Sequence, residues 1–107
     1  MFNISSLYPK QDGGTFDFDY YLNTHMPMSI DLLSNASGFQ GVSVETGIDI
    51  ESPPLPSGYF AMCHYYFDTL DNFMAAFMPH AEKLQGDIPN YTNVSPVIQI
   101  NEVKVRQ

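Results

Sequence analysis

Asp17-Phe18-Asp19-Tyr20-Tyr21-Leu22-Asn23-Thr24-His25-Met26-Pro27-Met28 opens as a helix. Asp17 suits the N-cap, where its carboxylate accepts from free N–H groups of the first turn, and Asp19 adds negative charge there. Phe16 and Tyr21 stand at the two positions of a hydrophobic staple. An advance of ~100° per residue brings Met28, Tyr21, Leu32, His25, Phe18, Ser29, Leu22 and Leu33 to one side. Asp19, Tyr20, Asn23, Thr24 and Asp31 fall on the other, so Tyr20 is expected at the surface or in a dimer contact. His25 lies mid-stripe, one turn after Tyr21. A titratable ring there is either a hydrogen-bonded core group or the wall of a cavity. Pro27 lacks the N–H that would bond to Asn23 and disfavours helical angles at Met26, so a kink or register shift is expected beside His25.

Outward from this stretch, residues 2–8 alternate as a first strand, and 9–15 form a loop marked by Pro9 and Gly13-Gly14. No phosphate-loop pattern follows the glycine pair. The helix runs to about Ser34, with Gly38 suited to the turn beyond it. Residues 39–48 read as a second strand, 49–58 as a proline-rich loop, and Tyr59–Phe67 as a third strand apolar on both faces. Asp68 or Thr69 caps a second helix whose stripe is Leu70, Phe73, Phe77, His80, Ala81 and Leu84. Pro79 interrupts it and Gly86 ends it. After a loop at 87–93, residues 96–105 form the last strand.

The order is βαββαβ across a single domain, 1–107. This α+β order implies a ferredoxin-like fold, a four-stranded antiparallel sheet with two helices on one face. The other sheet face then needs a cover, which a second copy can supply. The expected assembly is a two-fold homodimer, a dimeric α/β barrel burying Phe and Tyr side chains between its sheets.

Composition narrows the partners. Twelve Asp and Glu against four Lys and Arg give a net charge of -8. Nucleic acid needs basic side chains to displace its counterions, so it is excluded, and an anionic membrane surface is disfavoured. Cys63 is the only cysteine, which points to a reducing, cytoplasmic setting. No segment has the length of a membrane helix or the pattern of a signal peptide. A small apolar or aromatic ligand fits best.

Asp17-x-x-Tyr20-Tyr21-x-x-x-His25-x-Pro27, together with Gly86-Asp87-Ile88-Pro89-Asn90-Tyr91-Thr92-Asn93 and Pro96-Val97-Ile98-Gln99-Ile100, resembles the EthD family over nearly the whole chain. The resemblance implies the ferredoxin-like fold and the dimer. The family's type member is associated with bacterial breakdown of alkyl ethers beside a haem monooxygenase. Related dimeric barrels include cofactor-free lactone isomerases, polyketide cyclases and quinone-forming monooxygenases. In these the pocket lies between sheet and helices, and a histidine often moves a proton.

His25 is thus the first catalytic candidate, as a general acid/base tuned by its surroundings, against the alternative of a satisfied core histidine. Tyr21 is either a core aromatic or a pocket wall orienting His25 or a substrate oxygen. His64 and Tyr66 share one face of the third strand. They are substrate-binding candidates if that face meets the helices, and dimer-core groups if it does not. Phe77 and His80, on the inward stripe of the second helix, complete the substrate-binding set. The three histidines have no metal-ligand spacing, so neither metal nor cofactor is expected. Cys63 reads as a small buried hydrophobe. Glu45, Asp49 and Glu51 read as a solvated edge and loop. The expected function is binding of a neutral ring compound, with cofactor-independent proton transfer. The alternatives are a carrier in an oxidative pathway and a bare structural dimer.

Overall fold

The computed structural model describes residues 1–107. Strand β1 spans Phe2–Pro9, β2 Phe39–Thr46, β3 Tyr59–Phe67 and β4 Val97–Glu102. They form one antiparallel sheet in the order β2-β3-β1-β4, with both helical runs against one face. This is the ferredoxin-like α+β arrangement. No helix is long and apolar enough to cross a membrane.

The first helical run, α1, has three parts: an α-turn at Phe18–Tyr20, a wide π segment at Tyr21–His25, and α-helix at Met26–Leu33. Asp17 caps it, accepting from the Tyr20 N–H at 3.0 Å. The Phe16 and Tyr21 rings meet edge-on at 5.0 Å, as a staple requires. The register shift expected near Pro27 falls on the turn that ends at His25. There the Met26 N–H reaches back five residues to the Tyr21 carbonyl. One extra residue in a turn rotates the flanking positions by about 100°. Met26 is therefore buried, whereas Phe18 and Leu22, expected on the inner stripe, are exposed.

The second run, α2, comprises α-helix at Leu70–Phe77, a tighter 3-10 turn at Met78–His80 enforced by Pro79, and α-helix at Ala81–Gly86. Thr69 is its N-cap, accepting from the Asn72 N–H at 3.1 Å. A 3-10 turn at Ile88–Asn90 follows at once. β2 and β4 are shorter than expected.

Strand register decides which side chains face the helices. Ile4 stands between Tyr65 and Ile100, and Ser6 between Cys63 and Ile98, all on the helix-covered face. Ser5 stands between His64 and Gln99, and Asn3 between Tyr66 and Asn101, on the open face. The core is the covered face plus the helices: Ile4, Tyr8, Tyr21, Leu33, Cys63, Tyr65, Phe67 and Phe73 are all buried. The open face corrects the expectation of a third strand apolar on both sides. His64 bonds to Ser5 at 2.7 Å and to Glu45 at 3.1 Å, in a polar row flanked by Met62, Leu7 and Val97. Tyr66 is on the same face, and its ring lies under the Arg106 guanidinium at 4.4 Å.

Candidate functional site

A cavity of about 410 Å³ lies between the sheet and the two helical runs. Its wall is mostly aliphatic and aromatic, and no lysine or arginine contributes to it. Met74, Ile98 and Ile100 line it while remaining 40%, 56% and 46% exposed. The cavity therefore opens to solvent between α2 and the edge strand β4.

His25 stands at the inner wall, where the π segment ends. Its Nδ1 is 2.8 Å from Oδ2 of Asp87. Asp87 follows Gly86 directly, so the end of α2 delivers a carboxylate to the middle of α1. The other oxygen, Oδ1, accepts from the Tyr20 hydroxyl at 2.7 Å and from the Asn90 side-chain amide at 2.9 Å. Burial alone would push this carboxyl up. The bonds from Tyr20, Asn90 and His25 outweigh it and hold Asp87 below its ordinary pKa. The Tyr20 phenol is raised in turn, chiefly by the bond that it gives to Asp87.

The His25 Nε2 makes no hydrogen bond. Tyr21 Oη is the only fully buried side-chain polar atom without a partner, so Nε2 retains open surface. The imidazole is stacked on Tyr21, with ring centres 5.8 Å apart and planes 13° apart, and Tyr91 leans on it at 4.7 Å. Tyr91 and Tyr8 share a hydroxyl–hydroxyl bond of 2.6 Å. Desolvation raises the pKa of Tyr8, Tyr21, Tyr65 and Tyr91, so all four phenols stay neutral.

One turn beyond His25 on the cavity wall, Ser29 of α1 and Tyr65 of β3 are bonded at 2.6 Å. Cys63 lines the wall beside them, its thiol pushed up to about 12 by burial, with Glu45 adding to the rise. No three His, Cys, Asp or Glu side chains converge as a metal ligand set.

His25, Tyr21 and Phe77 are thus brought together on one cavity, with Phe77 stacked on Phe73 at 5.4 Å. His64 and Tyr66 stand apart from it. β3 turns its odd-numbered residues to the helices, which puts these two on the opposite face of the sheet. His80 sits half-buried on the 3-10 turn made by Pro79, outside the cavity wall. Tyr20, expected as a surface or dimer contact, is half-buried and also holds Asp87. Asp87 and Asn90 stand in the stretch that carries the family resemblance, but the sequence gives no site role to them or to Ser29 and Tyr65. The signal for Asp87 was an acid placed directly after the glycine that ends a helix.

The EthD domain model matches residues 15–95, which include both α1 and the Asp87 turn. The chain belongs to the EthD family. An EthD-like protein from Ralstonia eutropha JMP134 is 37% identical, with 99% of this chain and 94% of that chain covered and a TM-score of 0.85. An ethyl tert-butyl ether D (EthD) family protein from Bacillus halodurans C-125 is 18% identical, covering 96% and 98% of the two chains at a TM-score of 0.72. A candidate monooxygenase from Shewanella loihica PV-4 shares the fold at 12% identity, covering 98% and 96% at a TM-score of 0.58. No curated protein matches the chain in sequence.

Proposed function

We propose that this EthD-family chain binds a neutral ring compound, such as a lactone, quinone or polyketide, and moves a proton on it through His25 without a cofactor. The observation that carries this reading is one apolar cavity of about 410 Å³ walled by a histidine whose Nε2 has no protein partner. That volume lies within the range of small-molecule pockets. A neutral ligand suits a wall without a cationic side chain, because a buried anion there would be unpaired. A carrier would need the cavity but no mobile proton, whereas His25 is held at one nitrogen and free at the other. A bare structural dimer would have the space filled by Phe73, Phe77 and Tyr66, and Tyr66 is on the other face.

Two copies pairing through the open sheet faces would cover Met62, Leu7 and Val97 and enclose the His64–Ser5–Glu45 row. That homodimer is part of the proposal, as is a reducing, cytoplasmic setting that the lone cysteine suits.

The test is a thermal-shift screen of ring compounds on the wild type and on His25→Ala. Ligand at ~100 times its Kd should stabilise by about 2.7 kcal/mol. A class of lactones or quinones that stabilises the wild type and loses its effect in the variant supports the reading. If nothing binds and the variant is simply less stable, His25 is a core residue and the proposal fails.

A further inference from the structure

We infer that Asp87 is a positioning residue: it fixes His25 in the tautomer with the proton on Nδ1 and so turns the Nε2 lone pair into a base facing the cavity. The inference rests on the reading of His25 as the proton-moving group and narrows the ligand to an uncharged carbon acid, a ring compound with a C–H next to a carbonyl.

The argument is geometric. A neutral imidazole has one N–H and one lone pair, and the partner of one nitrogen decides the state of the other. An ionised carboxylate only accepts, so the 2.8 Å contact between Oδ2 and Nδ1 requires the proton on Nδ1. The carboxylate itself cannot turn. Its Oδ1 is held by two donors on different elements, Tyr20 of α1 and Asn90 of the 3-10 turn. Tyr21 and Tyr91 both pack against the ring, with centres 5.8 and 4.7 Å away.

A base in an apolar cavity with no cation nearby suits a proton bound to carbon. Nε2 would take the C–H proton, and the C–H electron pair would pass into the adjacent carbonyl, giving an enolate. The imidazolium, stabilised by Asp87, would return the proton to another carbon or to the oxygen. Bonds balance without an oxidant, and the outcome is an isomer. The Ser29–Tyr65 pair holds two hydroxyl protons and one mutual bond. One proton is thus left over to donate to the enolate oxygen.

The same two donors predict an unusual effect of Asp87→Asn. Tyr20 and Asn90 both give protons to Oδ1, so the new amide must keep its oxygen there and place its NH2 where Oδ2 stood. That NH2 donates to Nδ1 and drives the imidazole proton to Nε2, removing the base. An aspartate-to-asparagine change acts through the wrong tautomer in the same way in a Ser-His-Asp triad.

The experiment is a long-range proton–nitrogen correlation spectrum of 15N-histidine protein at about pH 8.5, two units above an ordinary imidazole. His25→Gln assigns the signal among the three histidines. Wild type and Tyr20→Phe should show a protonated Nδ1 and a bare Nε2, and Asp87→Asn should show them exchanged. A wild-type spectrum with the proton on Nε2 overturns the inference, whatever the variants do. So does an unchanged tautomer in a folded Asp87→Asn. Hydrogen–deuterium exchange of cyclic ketones in D2O is the second readout, expected to slow by roughly 10²- to 10⁴-fold in Asp87→Asn. If the tautomers exchange as stated but the wild type catalyses no exchange on any ketone, the assignment of Asp87 stands and the proton-transfer reading falls.

Discussion

Ser29 on α1 and Tyr65 on β3 share a 2.6 Å hydrogen bond, tying the first helix to the sheet across the wall of the cavity. Both residues are buried, so neither hydroxyl has water as an easy substitute. Tyr65→Phe should destabilise the fold by about 1–3 kcal/mol, because Ser29 is left without a partner. Ser29→Ala should cost a similar amount, and the double variant should cost clearly less than the sum. Urea unfolding of the four proteins measures this. Strict additivity would mean that the two hydroxyls do not depend on each other.

Asp87 predicts an acid-side loss of stability. Its folded pKa lies below the ordinary value, so between the two values the unfolded chain binds more protons. Its contribution is complete above about pH 4, the unfolded pKa, and is lost as pH falls through the lower folded one. Asp49, Asp68 and Glu102 are lowered as well and act in the same direction, so the informative quantity is a difference. The wild-type advantage in Tm over Asp87→Asn should shrink between about pH 5 and pH 2. A constant advantage over that range would show that the carboxylate is not held as described.

Cys63 should be slow to react. Its thiol is 4% exposed and pushed up to about 12, so almost no thiolate forms at pH 8. Labelling by a disulfide reagent should be slow in the folded protein and complete in denaturant. Since Cys63 lines the cavity, a bound ring compound should slow it further. Rapid, stoichiometric labelling of folded protein would contradict both its burial and its protonation state.

The cavity should also discriminate by charge. Lys10, Lys83, Lys104 and Arg106 are the only lysines and arginines, and none lines the wall. A cyclic ketone should raise Tm, and the matching carboxylic acid, ionised at pH 7, should bind at least ~10-fold more weakly, a difference of about 1.4 kcal/mol. Equal binding of the two would require a positive group at the wall that this site lacks.

Most of the chain's local structure was legible before any fold was known. The Asp17 and Thr69 caps, the Phe16–Tyr21 staple, the Pro79 interruption and the bounds of β3 all depend on residues within a few positions of one another. His25 was legible as a cavity or core group for the same reason. The inner stripe of α1 was less so, because periodicity assumes even turns and Pro27 widens the one before it.

By itself the sequence determined the βαββαβ order, and with it an antiparallel sheet carrying two helices on one side, since periodicity, caps and breakers are short-range effects. Only the tertiary structure decided which face of β3 meets the helices. Cys63 and Tyr65 on one side and His64 and Tyr66 on the other look equally buriable along the strand. The choice was made by its neighbours, where Ile4 and Ile100 point one way and Ser5, Asn3, Gln99 and Asn101 the other. Only the tertiary structure joined Asp87 to His25, 62 residues earlier. That bond exists because two helices lie side by side on one sheet face, and no spacing along the chain encodes it.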